Sequence, residues 1–284
     1  MPTLLSLFDY SGNWSRPYAE AGWNVIQWDI KHECDKYSKF SDIMDACAEF
    51  IYEHIFENYG TVEGVIAAPD CTHFANSGAQ YWKIKDEDGR TAIAMEYVSQ
   101  VLRIVDLCKP YFWVIENPVG RLSKLFPELG KPHYFNPCDY AGYYTNSDDE
   151  HLIELMRQKP LGDVSKEELE LIKKAGIYTK KTGLWGNFTI PEIKYIEPIR
   201  TSKQGSWLQS LGGKSKKTKE ERSNTPLGFS YAFYQANNTF DHIEDEDEFF
   251  DLYVVETEYR LQNSKPEKVQ ETQLSLWEEM KEVI

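Results

Sequence analysis

The chain has 284 residues, of which 41% are hydrophobic and 14% are aromatic, enough apolar material for one large core with at most a small appendage. The formal net charge of −15 disfavours a simple nucleic-acid-binding protein, but residues 239–284 alone hold 14 Asp and Glu against 4 Lys and Arg. No long apolar run or secretory signal is present, so we expect a cytoplasmic protein without a membrane span.

Five cysteines are spread over the chain. They form an odd set, include no CxxC pair and lie in no histidine cluster at metal-ligand spacing. This pattern favours reduced thiols over a disulfide framework, and we expect no metal site.

The first part of the chain alternates short apolar runs with helical patterns. Residues 4–8 and 24–28 predict strands on either side of a helix that stops at Gly22. The same pattern recurs twice, with helical residues 42–60 before apolar residues 62–68, and helical residues 91–110 before apolar residues 111–118. Such alternation predicts an α/β fold, in which helices cover both faces of a mostly parallel sheet and ligands bind at the carboxyl ends of its strands.

Beyond Val119 the alternation weakens. A charged helical pattern over 146–177 predicts an insertion into a main domain made of residues 1–145 and 178–238, and residues 239–284 form an acidic tail. The insertion thus interrupts the sheet instead of continuing it.

Three further segments complete the main domain. Residues 182–188 predict a strand, and Thr225 with Pro226 predict the cap and first turn of a last helix. Between them, residues 198–222 contain seven Lys and Arg against two Glu. This segment is either a local basic surface or a solvated loop.

Polar residues follow the predicted strands in three loops. The first loop, "FDYSGNWS", contains Gly12 and is followed seventeen positions later by Asp29, a spacing that suits a nucleotide but is also ordinary strand-loop-helix architecture. In the second loop, Cys71 is either exposed to a ligand or a small buried hydrophobe. In the third, Glu116 is positioned to cap a helix, to pair with a lysine or to protonate a substrate.

Taken together, the loops resemble those of the cytosine carbon-5 DNA methyltransferases, in particular compact members of phage type. The segment "LFDYSGNWSRPYAEAGWNV" is similar to the cofactor-binding first motif, "PDC" to the Pro-Cys nucleophile loop and "ENP" to the Glu-Asn-Val/Pro motif. The segments "YTKKTGLWGNF" and "RSNTPLGFSYAF" resemble later motifs. The resemblance runs from Leu4 to about Asn237 and implies a Rossmann-like methyltransferase fold in a bacterial or phage-infected cell.

The resemblance also implies a cofactor and its site. S-adenosylmethionine is expected over the first loop and the following strand ends, with an acid on the ribose hydroxyls and two residues near the adenine. The implied residues are Phe8, Asp9, Gly12, Asn13, Trp14, Asp29, Ile30, Asp42, Ile43, Pro69, Ser223 and Thr225.

The reaction that the resemblance implies is methyl transfer to carbon 5 of cytosine in DNA. Cys71, as thiolate, is expected to attack carbon 6 of a cytosine rotated out of the duplex, while Glu116 protonates ring nitrogen 3. Lys180 is the third expected catalytic residue, in the place of an arginine. Expected substrate contacts come from Asp70, Thr72, Asn117, Pro118, Lys214, Lys216 and Lys217, the lysines through phosphates.

The sequence departs from the family at the residue before the nucleophile, which is Asp70 where the family has proline. Its carboxylate either disfavours the Cys71 thiolate or turns away to hydrogen-bond its own loop. Tyr10 stands where the first motif has a small residue, which predicts a reshaped or closed cofactor loop. Lys180 and Lys181 replace arginines, and lysine lacks the guanidinium fork.

Two alternatives and one partner remain open. The chain is alternatively a DNA-binding protein with weak or lost turnover, or an enzyme that modifies free cytidine nucleotides or uses another one-carbon donor. The segment "QLSLW", Gln273 to Trp277, is either an ordinary terminal helix or a peptide that docks on a sliding clamp.

Overall fold

The computed structural model describes residues 1–35, 38–47, 50–203, 205–210 and 216–238. The predictions for Lys214 and for the segment from Gln273 to Trp277 lie outside these residues. Lys216 and Lys217 belong to a described helix, but their side chains are outside the description.

Seven strands form one sheet in the order β3-β2-β1-β4-β5-β7-β6. Neighbouring strands run parallel from β3 to β5, whereas β7 is antiparallel to both β5 and β6. The strands are β1 Thr3–Leu7, β2 Asn24–Trp28, β3 Lys39–Phe40, β4 Gly64–Ala67, β5 Phe112–Pro118, β6 His133–Phe135 and β7 Thr182–Asn187. This mostly parallel sheet confirms the predicted Rossmann-like α/β fold.

Helices connect the strands. They are α1 Arg16–Glu20, α2 Glu57–Tyr59, α3 Trp82–Glu87, α4 Arg90–Cys108, α5 Leu122–Leu125, α6 Ser147–Gln158, α7 Lys166–Ala175, α8 Trp207–Ser210, α9 Lys216–Ser223 and α10 Leu227–Asn237. A π-helix, Ile51–Phe56, leads directly into α2. Short 3-10 helices include Ile43–Asp45 and Cys71–His73.

The core lies on both faces of the sheet, because successive strand residues point to opposite sides. On one face Leu5 and Ile115 belong to a cluster that α4 covers with Ala94, Val98, Val101 and Ile104. On the other face Leu4 and Val114 belong to a cluster that α1 and α10 cover with Tyr18, Phe229 and Phe233. Each such fully buried side chain contributes about 1.5–3 kcal/mol to folding, and together they fix the positions of the strand ends.

The predicted insertion is helical and packs onto the main domain. Its helices α6 and α7 each begin with a capping box, Asn146 with Asp149 and Ser165 with Glu168. Their apolar faces join a third cluster that also contains Ile199 and Trp207 from the basic segment. The insertion and the basic segment therefore share one core.

The structure corrects three local expectations. The helix predicted over 42–60 is interrupted, because its 3-10 turn ends at Ala46 before the π-helix starts at Ile51. The short strand β6 was not predicted. Thr225 does not cap the last helix: Pro226 is extended, with φ −68° and ψ 139°, and occupies the N-cap position without a side-chain hydrogen bond, which leaves Thr225 one residue too far from the helix amides.

Candidate functional site

The first loop, after β1, is organised by its own acid. The buried carboxylate of Asp9 accepts hydrogen bonds from Ser6 Oγ at 3.0 Å and from Ser15 N and Oγ at 3.1 and 2.9 Å. Gly12 has a φ of +66°, and a Cβ there would lie 2.9 Å from Gln27 Nε2, so only glycine fits without a shift. Asp9 thus shapes the loop that was predicted to hold a cofactor, because its carboxylate accepts hydrogen bonds from within that loop.

Trp14, predicted as a cofactor contact, is part of the core. Its side chain is 1% exposed, and its ring centroid lies 5.7 Å from that of Phe229 and 5.8 Å from that of Phe233. The indole is therefore a core group, since α10 already covers it, and the cofactor contact assigned to Trp14 stays a prediction. Asn13 is partly buried, and its backbone N donates a hydrogen bond to Ser11 Oγ at 3.2 Å.

Asp29 and Ile30 follow β2, as expected. Asp29 is partly buried and its Oδ1 accepts a bond from Lys31 N at 3.0 Å, while Ile30 is exposed. Tyr10 contacts the same segment: its ring lies tilted against His32, with centroids 5.4 Å apart, and Lys31 Nζ lies 5.0 Å from the ring centroid. Tyr10 thus bridges two strand-end loops.

A cavity of about 150 Å³ lies beside the second loop, against the start of α4. Tyr97 on its wall also meets Phe8 edge-on, with ring centroids 6.1 Å apart. Burial and then the Asp42 carboxylate raise the pKa of Tyr97, which places Asp42 near the same wall. The lining residues are Pro69, Asp70, His73, Arg90, Ile93, Ala94 and Tyr97.

Sequence reasoning named only Pro69 and Asp70 among these cavity residues. The helix residues were missed, although Arg90, Ile93, Ala94 and Tyr97 have the i, i+3, i+4, i+7 spacing of one helix face. That spacing, combined with the end of β4 next to the helix, was the available signal. Ile43, predicted near the adenine, is instead a core residue, 3% exposed.

The second loop turns at Cys71, which begins the 3-10 helix Cys71–His73. The Asp70 carboxylate caps this helix, accepting bonds from Thr72 N at 2.9 Å and Thr72 Oγ1 at 2.5 Å. Asp70 thus hydrogen-bonds its own loop, as one of the two expectations had it, and its carboxylate also raises the pKa of Cys71, as the other had it. Thr72 is exposed and serves as the donor in that cap.

The second and third loops are joined along their length. Asn117, fully buried, donates from Nδ2 to Pro69 O at 3.0 Å. Further along, Asn76 N donates to Val119 O at 2.9 Å, and Ala75 and Gly120 form an antiparallel bridge. A Cβ on Gly120 would lie 1.9 Å from Phe74 O, so this close approach requires glycine.

Cys71, Glu116 and Lys180 influence one another electrostatically. Desolvation raises the pKa of Cys71 to about 11, Lys180 acts in the opposite direction, and the Asp70 and Glu116 carboxylates raise it further. Desolvation likewise raises the pKa of Glu116, and Lys180 lowers it. At neutral pH the thiol is therefore protonated and the carboxyl is shifted toward its protonated form.

Other residues around this cluster were partly foreseen. Lys180 donates from Nζ to Arg222 O at 3.3 Å, whereas Lys181 lies over the Tyr134 ring at 4.8 Å, next to β6. Lys180 is thus the lysine at the cluster. Buried Tyr178, which the sequence reasoning missed, has its pKa raised by burial and by Glu116.

The remaining predicted residues lie near α9 and at the end of β5. Ser223 ends α9 and donates from Oγ to Glu220 O at 2.9 Å, and Thr225 is partly buried. Glu220 also lies 3.9 Å from Lys31 Nζ, so α9 reaches the loop after β2. Pro118 is the last residue of β5 and is partly buried.

None of the helices in the described ranges has the length and apolar character of a membrane span. No group of three or more His, Cys, Asp or Glu in the same ranges is placed to hold a metal ion.

Comparison with known proteins found matches among solved structures. No family model matches the sequence, and no curated protein matches it. Among solved structures, a prophage-encoded protein of E. coli named as a candidate DNA modification methyltransferase is similar, with 16% identity and a TM-score of 0.39. The likeness covers 76% of this chain and 56% of the other, so the chain spans little more than half of that protein's length. A likeness at this level identifies neither a family nor a reaction.

Proposed function

We propose that the protein transfers a methyl group from S-adenosylmethionine to carbon 5 of cytosine in DNA. The observation that carries the proposal is the convergence of the second and third loops at adjacent strand ends. Asn117 binds Pro69 O at 3.0 Å, and the neighbouring Glu116 and Cys71 lie close enough for the carboxylate to raise the pKa of the thiol. A thiol and a carboxyl in one cluster supply the nucleophile and the general acid that this reaction needs.

The residues at the strand ends fit the proposed cofactor. Tyr97 and Pro69 give the cavity aromatic and aliphatic walls, which suit a flat base, and Phe8 packs edge-on against Tyr97. Asp29, partly buried at the end of β2, is a hydrogen-bond acceptor of the kind that ribose hydroxyls bind. When bound, S-adenosylmethionine supplies an electrophilic methyl group; Asp9 and Trp14 shape the loop around it.

Glu116 is suited to the role of general acid. Its raised pKa favours the protonated carboxyl, which then delivers its proton to ring nitrogen 3 as carbon 6 is attacked. That proton discharges the negative charge that attack creates on the ring. The raised pKa of Glu116 is thus a property the reaction uses.

Cys71 bonds to carbon 6 as thiolate, and the carbon 5–carbon 6 double bond opens to an enamine. Carbon 5 takes the methyl group, whose bond to the sulfonium sulfur breaks so that S-adenosylhomocysteine would be the leaving group. A base then removes the carbon 5 proton, and the bond between carbon 6 and the Cys71 sulfur breaks to restore the ring and the thiolate. The proton on nitrogen 3 returns to Glu116, so the cycle closes without net change in either residue.

The thiol must lose its proton first, and its pKa of about 11 opposes this step. Lys180 is the cation that lowers the pKa of Cys71 and of Glu116. Its attraction for a thiolate strengthens when bound DNA excludes water from the cluster, because charges interact more strongly in a low dielectric. We therefore assign to Lys180 the stabilisation of the thiolate.

The same raised pKa favours a second candidate, a DNA-binding protein in which turnover is slow or lost. A thiol with a pKa of about 11 is about a thousandth ionised at pH 8. The experiment below separates the two candidates.

The test is incubation of the protein and S-adenosylmethionine with duplex DNA that contains 5-fluorocytosine, because fluorine at carbon 5 blocks the final elimination. We expect a covalent complex with wild type and with the exposed-thiol control Cys47→Ser, and none with Cys71→Ser. DNA binding without a wild-type complex would support the second candidate. A complex that persists in Cys71→Ser would refute the assigned nucleophile.

A further inference from the structure

We propose that Arg121 and Lys85 are positioning residues that hold the nucleophile loop in its working shape by binding its backbone carbonyls. The proposal rests on the proposed function, since it takes Cys71 as the nucleophile. Neither residue was singled out by the sequence, and neither acts on the substrate. We call Lys85, Asp86 and Arg121 the carbonyl clasp.

The clasp binds three successive carbonyls directly after Cys71. Lys85 Nζ donates to Thr72 O at 2.5 Å and Arg121 Nε donates to His73 O at 3.0 Å. The backbone N of Arg121 donates to Phe74 O at 2.9 Å. The carbonyl end of the 3-10 turn is therefore fixed by two cationic side chains and one backbone amide, and such charge-assisted bonds are stronger than neutral ones.

Arg121 is itself held on every side. Its Nη1 and Nη2 each donate to an Asp86 carboxylate oxygen at 2.7 Å, and Nη2 also donates to Thr91 Oγ1 at 3.0 Å. The guanidinium carbon lies 4.7 Å from the centroid of the Trp82 ring. These partners belong to α3 and α4, so Arg121 ties the loop to two helices as well as to the third loop.

The burial of Lys85 and Arg121 indicates that they orient the loop carbonyls and do not mainly add stability. Lys85 is 7% and Arg121 8% exposed, and burying a cation gains little stability over an apolar side chain of similar size. What an apolar residue cannot do is fix the direction of a carbonyl group. Only the planar fork of arginine satisfies His73 O and both oxygens of Asp86 at once, which explains why lysine should not replace it.

Release of the clasp has two opposite consequences for Cys71. A loosened turn exposes the thiol to water and removes part of the desolvation that raises its pKa, so reaction with a small alkylating reagent becomes faster. The same loosening moves the sulfur away from its working position, so attack on a cytosine becomes slower. If the clasp only stabilised the fold, a variant that stays folded would not show faster alkylation of Cys71 together with slower attack on cytosine.

The experiment compares Arg121→Lys, Lys85→Met and Asp86→Asn with wild type. The matched control is Arg103→Met, which removes an exposed arginine of α4 that pairs with Glu96 at 2.6 Å. Alkylation of Cys71 by iodoacetamide in DNA-free protein is followed by peptide mass spectrometry between pH 7 and 10, and complex formation with 5-fluorocytosine DNA is timed. Circular dichroism melts report folding, and Asp86→Asn, which changes a half-exposed side chain, guards against variants that fail to fold.

We expect Arg121→Lys, Lys85→Met and Asp86→Asn to melt close to wild type. In each of them iodoacetamide should alkylate Cys71 about tenfold faster at pH 8, as a pKa lowered by one unit would produce, and the DNA complex should form at least about tenfold more slowly. Arg103→Met should match wild type in all three measurements. The proposal is overturned if both rates stay unchanged in folded variants, or if both fall together with the melting temperature. A wild-type protein that forms no DNA complex refutes the proposed function instead, and the alkylation rates then still report on the clasp.

Discussion

The loop after β1 and the loop after the neighbouring strand β4 are built in opposite ways. The loop after β1 is held by its own side chains: Asp9 receives bonds from Ser6 and Ser15, three and six positions away. The loop after β4 is held from outside, by Asn117 and Arg121, each 48 positions from the carbonyl it binds. The hydrogen bonds of Asp9 in the first loop therefore form within a short segment, whereas those from Asn117 and Arg121 to the second loop require β5 to lie beside β4.

This difference assigns different vulnerabilities to the two loops. A change at Asp9 should stay local, since the groups that donate to its carboxylate all lie within one short segment. A change in the partners of the second should alter the position of Cys71 even though it lies far along the chain. The three predictions below test that contrast, from the largest expected effect to the smallest.

The strongest test is Gly120→Ala. An added Cβ would lie 1.9 Å from Phe74 O and 2.9 Å from Ala75 Cα, so the pairing of the second and third loops has to open. We expect the rate of complex formation with 5-fluorocytosine DNA to fall by about 100-fold, as for a reacting group displaced by about 1 Å. The cost in unfolding free energy should be about 1–3 kcal/mol, as for other overpacking substitutions.

The control for this prediction is Gly22→Ala. Gly22 has a φ of +85°, but a Cβ there would have nothing within 4 Å. Its substitution should cost about 1–2 kcal/mol through backbone strain alone and leave the rate of complex formation unchanged. A Gly120→Ala protein with wild-type rate and stability would show that the two loops are not coupled.

The contrast also explains what the sequence predicted. The apolar run of residues 24–28 coincides with β2, and the acid and thiol assigned to strand ends do lie there, because strand length and turn residues are local signals. The burial of Trp14 was not predicted, because its partners Phe229 and Phe233 are more than 200 positions away. Arg121 was missed for the same reason, since nothing in "VGR" points to its partners on α3.

The second prediction concerns Asp9→Ala in the first loop. Removing the carboxylate leaves the buried donors of Ser6 and Ser15 without their acceptor, which should cost about 2–3 kcal/mol of unfolding free energy. Urea unfolding measures this loss, and calorimetry should show S-adenosylmethionine binding weakened by about tenfold, a change of about 1.4 kcal/mol.

Because the hydrogen bonds that Asp9 accepts come from nearby residues of the first loop and β1, the pH profile of Cys71 alkylation should be the same in Asp9→Ala as in wild type. Ser11→Ala is the matched control, since Ser11 Oγ reaches Asp9 Oδ1 only at 3.3 Å, and its effect should be a few tenths of a kcal/mol. A shifted alkylation profile in Asp9→Ala would mean that the two loops communicate after all.

The last prediction compares the carboxyls of the two regions: Asp9 lies among donors, whereas desolvation raises the pKa of Glu116 above that of an unfolded chain. A raised folded-state pKa stabilises the fold fully below the ordinary carboxyl pKa, and this contribution is lost as the pH rises through the raised value. Glu116→Gln does not lose stability in this way, because glutamine carries no titrating proton. Its unfolding free energy in urea should therefore improve relative to wild type between pH 4 and pH 8, while the exposed control Glu96→Gln shows no such trend. A difference between Glu116→Gln and wild type that is independent of pH would mean that Glu116 is not desolvated, and its role as general acid would then lack its physical basis.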